Sequence, residues 1–326
     1  MERAVVSLSL IVPTYNRSQV VWRCLESVQH QTLQEFELLL VDNSPDNELR
    51  ADVDTFNANA RVPVRYVPEP RLGLHNARHA GARAATGDVL VFTDDDATFD
   101  PDWLSAHARC FDAHADMAAA GGPVLPAWDA PPPPWLSTFM QADPTMFPVL
   151  SLLDLSKVFQ LRPDGLFFGV NMAIRRQVLF DLGGFNPDSF GDRWLGDGET
   201  GLNRKLWAQN QLVGYVPDAV VYHHVPPGRM TVAYMRRRQA SDGACDMYAQ
   251  FHNKMPSLPG LSRAAFAIII DSARDWAAEP LFRGRTDPRA LRVQMRAARA
   301  WARLEYVLRL MVSPRLRALV TQQDWL

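Results

Sequence analysis

Residues Val89-Leu90-Val91-Phe92-Thr93 run an apolar segment into three consecutive carboxylates, Asp94, Asp95 and Asp96. Three acids side by side repel one another, so a clustered or buried set needs a counter-charge. Hard oxygen donors suit a divalent cation such as Mg²⁺ or Mn²⁺. The apolar segment reads as a strand, and open α/β sheets hold their ligands at the carboxyl ends of strands. Taken alone, the triplet is equally well a polar loop that caps the next helix. The residues that precede it break the tie.

The first 115 residues alternate strand and helix patterns. Strands are predicted over 6–12, 36–41, 64–67 and 89–92, and helices over 20–31, 74–85 and 101–115. Such alternation implies a mostly parallel sheet with helices on both faces. The ends of the first, second and fourth strands then share one rim. That rim gathers Pro13, Thr14, Tyr15 and Arg17, then Asp42, then the three aspartates. Around the prolines at 131–134 the pattern stops, and a crossing or flap without helix is expected through 163. Structure resumes over 166–174, followed by a short helix over 175–182 that ends at Gly183-Gly184. A helix over 200–208 and strands over 213–216 and 219–222 come next. Everything from 231 onward reads helical. The expected division is a catalytic unit over 1–230 and a helical extension over 231–326.

At 326 residues, 47% hydrophobic and 21% charged, the chain is an ordinary globular one, and its net charge of -2 gives no pull toward nucleic acid. Cys24, Cys110 and Cys245 are isolated, which argues against a disulfide framework or a zinc site. No signal-peptide pattern opens the sequence, and no run is long enough to span a bilayer, so a cytoplasmic protein is expected.

Several segments together resemble a family 2 glycosyltransferase of the GT-A fold, over roughly residues 7–240. They are Ile11-Val12-Pro13-Thr14-Tyr15-Asn16-Arg17, Leu40-Val41-Asp42-Asn43-Ser44, Gly73-Leu74-His75-Asn76-Ala77-Arg78, and the aspartate cluster. Gly169-Val170-Asn171, Gly183-Gly184-Phe185, Gly198-Glu199 and Pro217-Asp218-Ala219-Val220-Val221-Tyr222-His223 follow in the family's order. The resemblance implies a nucleotide-diphosphate sugar donor, UDP-sugar favoured, and a divalent metal, Mn²⁺ or Mg²⁺. It implies that Pro13, Thr14, Tyr15, Arg17, Asp42 and Arg78 hold the nucleotide, with Asp42 accepting from the base. Asp96 would be the main metal ligand, Asp94 the ribose-side or metal partner, Asp95 a neighbour of less defined role, and His223 a further ligand. Asn171 would touch donor sugar or acceptor, and Trp194 would offer a stacking platform for a sugar ring.

Inverting transfer needs a base to deprotonate the acceptor hydroxyl. The family's acidic pair falls on Gly198-Glu199, where the first acid is glycine. Glu199 is the expected base, with Asp197 next door as the alternative. The acceptor stays open: a saccharide, a lipid-linked glycan, a protein or a natural product. Two other readings compete. Asp94-x-Asp96 after a strand fits a haloacid-dehalogenase-like phosphatase, although three strands precede it. A catalytically inactive glycosyltransferase-like scaffold is favoured only by the glycine at 198.

The last segment carries its own question. Arg289, Arg292, Arg296, Arg299 and Arg303 recur at steps of three and four and form one helical stripe. The stripe is either a face of a helix packed against the rest of the chain, or a peripheral contact with anionic lipid or a partner subunit.

Overall fold

The computed structural model describes residues 6–46, 49–143, 148–190, 193–194 and 196–326. Strands β1 (Leu8–Thr14), β2 (Glu37–Asp42), β3 (Val64–Pro68) and β4 (Val89–Phe92) alternate with helices α1 (Ser18–Gln29), α2 (Leu49–Asn57) and α3 (Leu74–Ala84). The four strands pair in parallel in the order β3-β2-β1-β4. Every residue of β1 and β4 is buried, as expected of parallel strands covered on both faces. Helix α3 presses close to the sheet at Gly81, where an added Cβ would lie 2.4 Å from Ile11 Cγ2. The small residues of this helix therefore serve its packing on β1 and β2, and that packing carries Arg78 inward.

The sheet continues through β9 (Met172–Arg175), β6 (Met117–Gly121), β12 (Leu212–Tyr215) and β8 (Gln160–Arg162), with β9 antiparallel to both β4 and β6. A second, three-stranded sheet has the order β5 (Ala97–Phe99), β13 (Val221–Val225), β7 (Val124–Trp128). Its antiparallel pairing sets His223 opposite Ala97, beside the aspartate cluster. Helix α4 (Trp103–Ala113) separates β5 from β6, and α6 (Arg176–Asp181) follows β9. The hairpin β10 (Ser189–Phe190) and β11 (Arg193–Trp194) leads to α7 (Gly198–Ala208).

The proline-rich crossing departs from expectation. Helix α5 (Pro134–Ala142) begins directly on it. Proline is excluded from a helix interior but suits the first turn, where its missing N–H has no intrahelical partner to lose.

Four helices close the chain: α8 (Val232–Phe251), α9 (Leu258–Phe282), α10 (Pro288–Val312) and α11 (Pro314–Val320). The arginine stripe lies on α10, and much of it is engaged within the protein. Arg296 reaches Asp275 of α9 through two hydrogen bonds of 2.9 Å, and Arg299 reaches Asp246 of α8 through two of 2.8 Å. Arg303 approaches the same Asp246 at 3.3 Å. These pairs latch three helices together, which favours the packed-helix reading over the lipid reading. Among the described residues no helix is long and apolar enough to cross a membrane. Reversing Arg299 to Glu sets two carboxylates against each other and should lower unfolding free energy by about 1 kcal/mol, a modest figure because the pair is partly exposed. Urea denaturation reads this, and an unchanged midpoint would show the latch to be idle.

Candidate active site

A cleft of about 410 Å³ opens where the ends of β1 and β4 meet the start of α3. Pro13, Thr14, Tyr15 and Arg17 line one side, Gly73, Leu74 and Ala77 another, and Asp94, Asp95 and Asp96 the floor, with Arg229 at the edge. Gly73 begins the helix at φ +135, a conformation that suits glycine, and lets the backbone turn tightly into the wall. Of the expected rim, the ends of β1 and β4 share this cleft, whereas Asp42 at the end of β2 does not line it.

Each aspartate of the triplet has different partners. Asp95 accepts from Thr14 Oγ1 at 2.8 Å and pairs with Arg17 at 2.9 Å. Burial pushes its carboxyl up to about 6 despite that arginine. Asp96 receives Arg17 at 3.0 Å and Arg229 at 2.7 Å, and its Oδ1 lies 3.5 Å from His223 Nε2. Burial opposes its ionisation, but His223, Arg229 and Arg17 together outweigh it and hold the carboxyl below the usual range. Asp94 turns the other way, to Arg78 at 3.3 Å, and burial raises its pKa against that attraction.

Arg78 is 1% exposed and pairs with Glu199 at 3.4 Å as well as with Asp94. Burial works against its charge, and the carboxylates of Glu199, Asp94 and Asp188 more than compensate. Glu199 stands in the first turn of α7 and keeps about 29% of its side chain exposed. Asp197, the alternative base, is turned elsewhere. It accepts from Asn186 Nδ2 at 2.8 Å and from Arg204 at 2.6 Å, and its side chain is 3% exposed. The two acids expected to compete for one role therefore occupy different environments.

Asp42 closes β2 with no exposed surface. Ser44 N donates to one of its oxygens at 2.9 Å and the Tyr66 hydroxyl to the other at 2.8 Å. It borders an adjoining recess of about 220 Å³ shared with Asn16 and Arg17.

Asn171 requires a correction. Expected to touch donor sugar or acceptor, it is fully buried away from the cleft. Its amide donates to Pro123 O at 3.0 Å and Ala219 O at 2.8 Å, and its oxygen accepts from Trp103 Nε1 at 2.9 Å with His107 Nε2 at 3.2 Å. That uses the bonding capacity of the amide and leaves none for a substrate. Trp194 sits in β11, and its side chain lies outside the described residues.

Two residues that sequence reasoning missed belong to the site. Arg229 follows His223 by six positions, in the turn Pro227–Arg229 after β13. Its Nη1 lies 2.7 Å from His223 Nε2, and a cation beside a strand-end histidine was the available signal. Asp188 is 5% exposed and lies against the backbone of Gly198, next to Glu199 in the chain. No local pattern marks it.

The donor set of Asp96 and His223 fits a divalent cation. His223 Nδ1 lies 3.0 Å from Leu150 O, so it carries the proton that this carbonyl accepts. Nε2 then accepts from Arg229 Nη1 at 2.7 Å, so its lone pair reaches a cation only where that guanidinium swings away. The Arg229 guanidinium bridges His223 and Asp96 and supplies positive charge at that point. Among the described residues no three His, Cys, Asp or Glu side chains are gathered into a metal cage. An open site completed by phosphate oxygens and water suits Mg²⁺ chemistry better than a closed one.

A GT-A architecture emerges from this sheet order, the strand-end cleft and the added helices. The glycosyl transferase family 2 model matches residues 9–182, and the chain belongs to that family. It is an enzyme, a nucleotide-sugar glycosyltransferase. The glucosyl-dolichyl phosphate glucuronosyltransferase of Haloferax volcanii is 29% identical over 225 residues, covering 67% of this chain and 69% of that protein. The validoxylamine A glucosyltransferase of Streptomyces hygroscopicus is 27% identical over 212 residues, covering 58% of this chain and only 49% of that one. Among solved structures, the mannosyltransferase PcManGT from Pyrobaculum calidifontis, in complex with GDP-Man and Mn²⁺, shares the fold with a TM-score of 0.54. It is 21% identical, and the match covers 97% of this chain and 83% of that one.

Replacing Asn171 by Leu keeps the volume but leaves the Trp103 indole N–H and the Ala219 carbonyl unpartnered, while Pro123 O keeps Val221 N. A loss of at least about 2 kcal/mol in chemical denaturation is expected, since each buried polar group left unsatisfied costs about 1–3 kcal/mol. Near-normal stability would return Asn171 to the list of substrate contacts.

Proposed function

We propose that the protein transfers a glycosyl group, with inversion, from a nucleoside diphosphate sugar to an acceptor hydroxyl, using a divalent cation, Mn²⁺ or Mg²⁺, and Glu199 as general base. One observation carries the reading. Asp94, on the cleft floor, links two clusters of different chemistry through its pairing with Arg78. At one end Asp96, His223, Arg17 and Arg229 concentrate ligands and positive charge; at the other Arg78 holds the partly exposed carboxylate of Glu199. The first end suits a diphosphate, the second an incoming hydroxyl.

In this reading Asp96 and His223 would hold the cation, which when bound adds positive charge beside the departing diphosphate. Arg17 and Arg229 offer donor-rich cations to the phosphate oxygens. Thr14, Tyr15 and Pro13 bound the nucleotide, and UDP is favoured by the family resemblance at Asp42, whose buried carboxylate would have to open from Ser44 and Tyr66 to accept the imino N–H of a uracil. Arg78 fixes Asp94 on the ribose side. Glu199 takes the acceptor proton while the sugar–phosphate bond breaks on the opposite face. A lipid-linked saccharide is the first acceptor class to test, since the glucuronosyltransferase relative is named for glucosyl-dolichyl phosphate.

Two measurements check this. Asp96→Ala should abolish the thermal stabilisation that Mn²⁺ adds to UDP binding, and an unchanged metal dependence would remove Asp96 from the site. Glu199→Gln should lower kcat by roughly 10²–10⁴, the usual span for a general acid–base group, with donor affinity nearly unchanged. Full activity in that variant would place the base elsewhere. Trapping an aspartyl-phosphate on Asp94 from a phosphate ester would establish the phosphatase reading instead.

A further inference from the structure

Helix α9 is apolar on a face that the described chain leaves open. Its Leu261 and Ala265 are buried, and with Ile268 and Trp276 they pack on the cluster that α8 and α10 share. The opposite face carries Phe266, Ile269, Ile270, Ala273, Ala277 and Leu281 at helical steps of three and four, and all six are exposed. Phe266 is 65% exposed and Ile270 59%. Most of the large apolar side chains left exposed among the described residues lie on this helix and on α10. Soluble monomers rarely show water a continuous apolar strip of this kind, so it calls for a cover.

The strip continues onto α10. Trp276 stands edge-on to Trp301 with ring centroids 5.9 Å apart, and Trp301 is 62% exposed. Leu308 and Val312 share the face of α10 that Trp301 begins. Glu305 is the one acid on that face, a turn beyond Trp301. Helix α9 and Trp301 therefore form the centre of the surface, and the rest of α10 its margin.

Charge decides what covers it. Arg263 and Arg274 flank the strip, and both are exposed. The acids of α9 lie elsewhere. Asp275 is held by Arg296, and Glu279 by Arg236 and Arg283, so both are turned toward the neighbouring helices. Asp271 is about 140° round the helix from Phe266.

We propose that α9 is a membrane-docking helix, lying in the surface of a bilayer that contains anionic lipid. Phe266, Ile269, Ile270 and Trp301 enter the outer acyl region, and Arg263 and Arg274 meet headgroup phosphates. An apolar helical face bordered by cations is what such a surface binds. Arginine lays its stem along apolar neighbours while its guanidinium stays at the phosphates. A second copy of the chain would bury the same two arginines against a face that offers no carboxylate, which weighs against a dimer. Arg296 and Arg299 of the stripe on α10 take no part, being engaged by Asp275 and Asp246. No residue of the cleft is involved, so the inference stands apart from the sugar-transfer reading.

Co-sedimentation of the full chain with phosphatidylcholine vesicles, with and without phosphatidylglycerol, tests this. The protein should sediment with the vesicles that contain phosphatidylglycerol, and added salt should weaken that association. Phe266→Ser combined with Ile270→Ser should lower the partition coefficient at least about tenfold, since two large apolar side chains no longer leave water. Arg263→Gln combined with Arg274→Gln should lower it by roughly tenfold or more, on the anionic vesicles alone. All four positions are exposed, and an unchanged circular dichroism spectrum shows that each variant is folded. Failure of the parent protein to sediment, or equal partition of the parent and the serine variant, overturns the proposal. So does a parent that light scattering shows to be dimeric and that the serine pair makes monomeric, because a second copy would then be the cover.

Discussion

The site depends on one buried cation. Arg78 lies almost wholly inside the protein, where an unpaired guanidinium would be untenable. It is tolerated because carboxylates from separate parts of the chain pair with it, Asp94 after β4 and Glu199 on α7, with the charge of Asp188 ahead of the hairpin acting from farther off. The dependence is mutual, since without Arg78 three acids would crowd one corner with no counter-charge. Helix α3 can deliver the guanidinium there because Gly81 lets it sit close on β1 and β2. An added Cβ at Gly169 would come within 2.3 Å of Arg78 Nη2. Two glycines far apart in sequence therefore make room for one arginine, and the arginine in turn holds α7 against the sheet rim.

The triplet of aspartates divides its labour because its three side chains point in three directions. Asp94 belongs to the Arg78 end, Asp95 ties the floor to Thr14 and Arg17, and Asp96 belongs to the end with His223 and Arg229. A strand end followed by a tight turn into β5 produces this fan, and β13 then adds His223 by pairing with β5. The donor chemistry of the cleft is a consequence of this small second sheet.

This explains what the sequence made legible and what it withheld. Strands β1, β2 and β4 carry continuous apolar runs in a parallel sheet, so their pattern could be read directly. The aspartates, Arg17 and Glu199 lie at element ends, where polar residues interrupt an apolar pattern visibly. Asn171 misled because an amide that ties β7 and the loop before β13 to α4 has the same local look as an amide that touches sugar. The prolines misled because their exclusion from helices holds for the interior and not for the first turn. The arginine stripe was periodic on α10, but its acids, Asp246 and Asp275, lie on α8 and α9, more than twenty residues away. Arg229 and Asp188 were missed for the same reason: each has its meaning only through a partner brought near by the fold.

The C-terminal helices reach into the cleft by a route that sequence alone does not suggest. Arg229 lies in the short turn between β13 and α8, and the start of α8 is fixed by Thr231, whose hydroxyl accepts from Tyr234 N at 3.1 Å. Met230 and Met235, on either side of that cap, are buried in an apolar cluster with Leu136 and Phe139 of α5 and Leu291 and Met295 of α10. Helix α10 is held to α8 by Arg299 and Asp246. The guanidinium at the edge of the cleft is thus anchored from behind by the helical extension and by the proline-started helix α5. Loosening that cluster would free Arg229 to leave Asp96 and His223, so the packing of the C-terminal helices sets how much positive charge stands at the Asp96 end of the cleft.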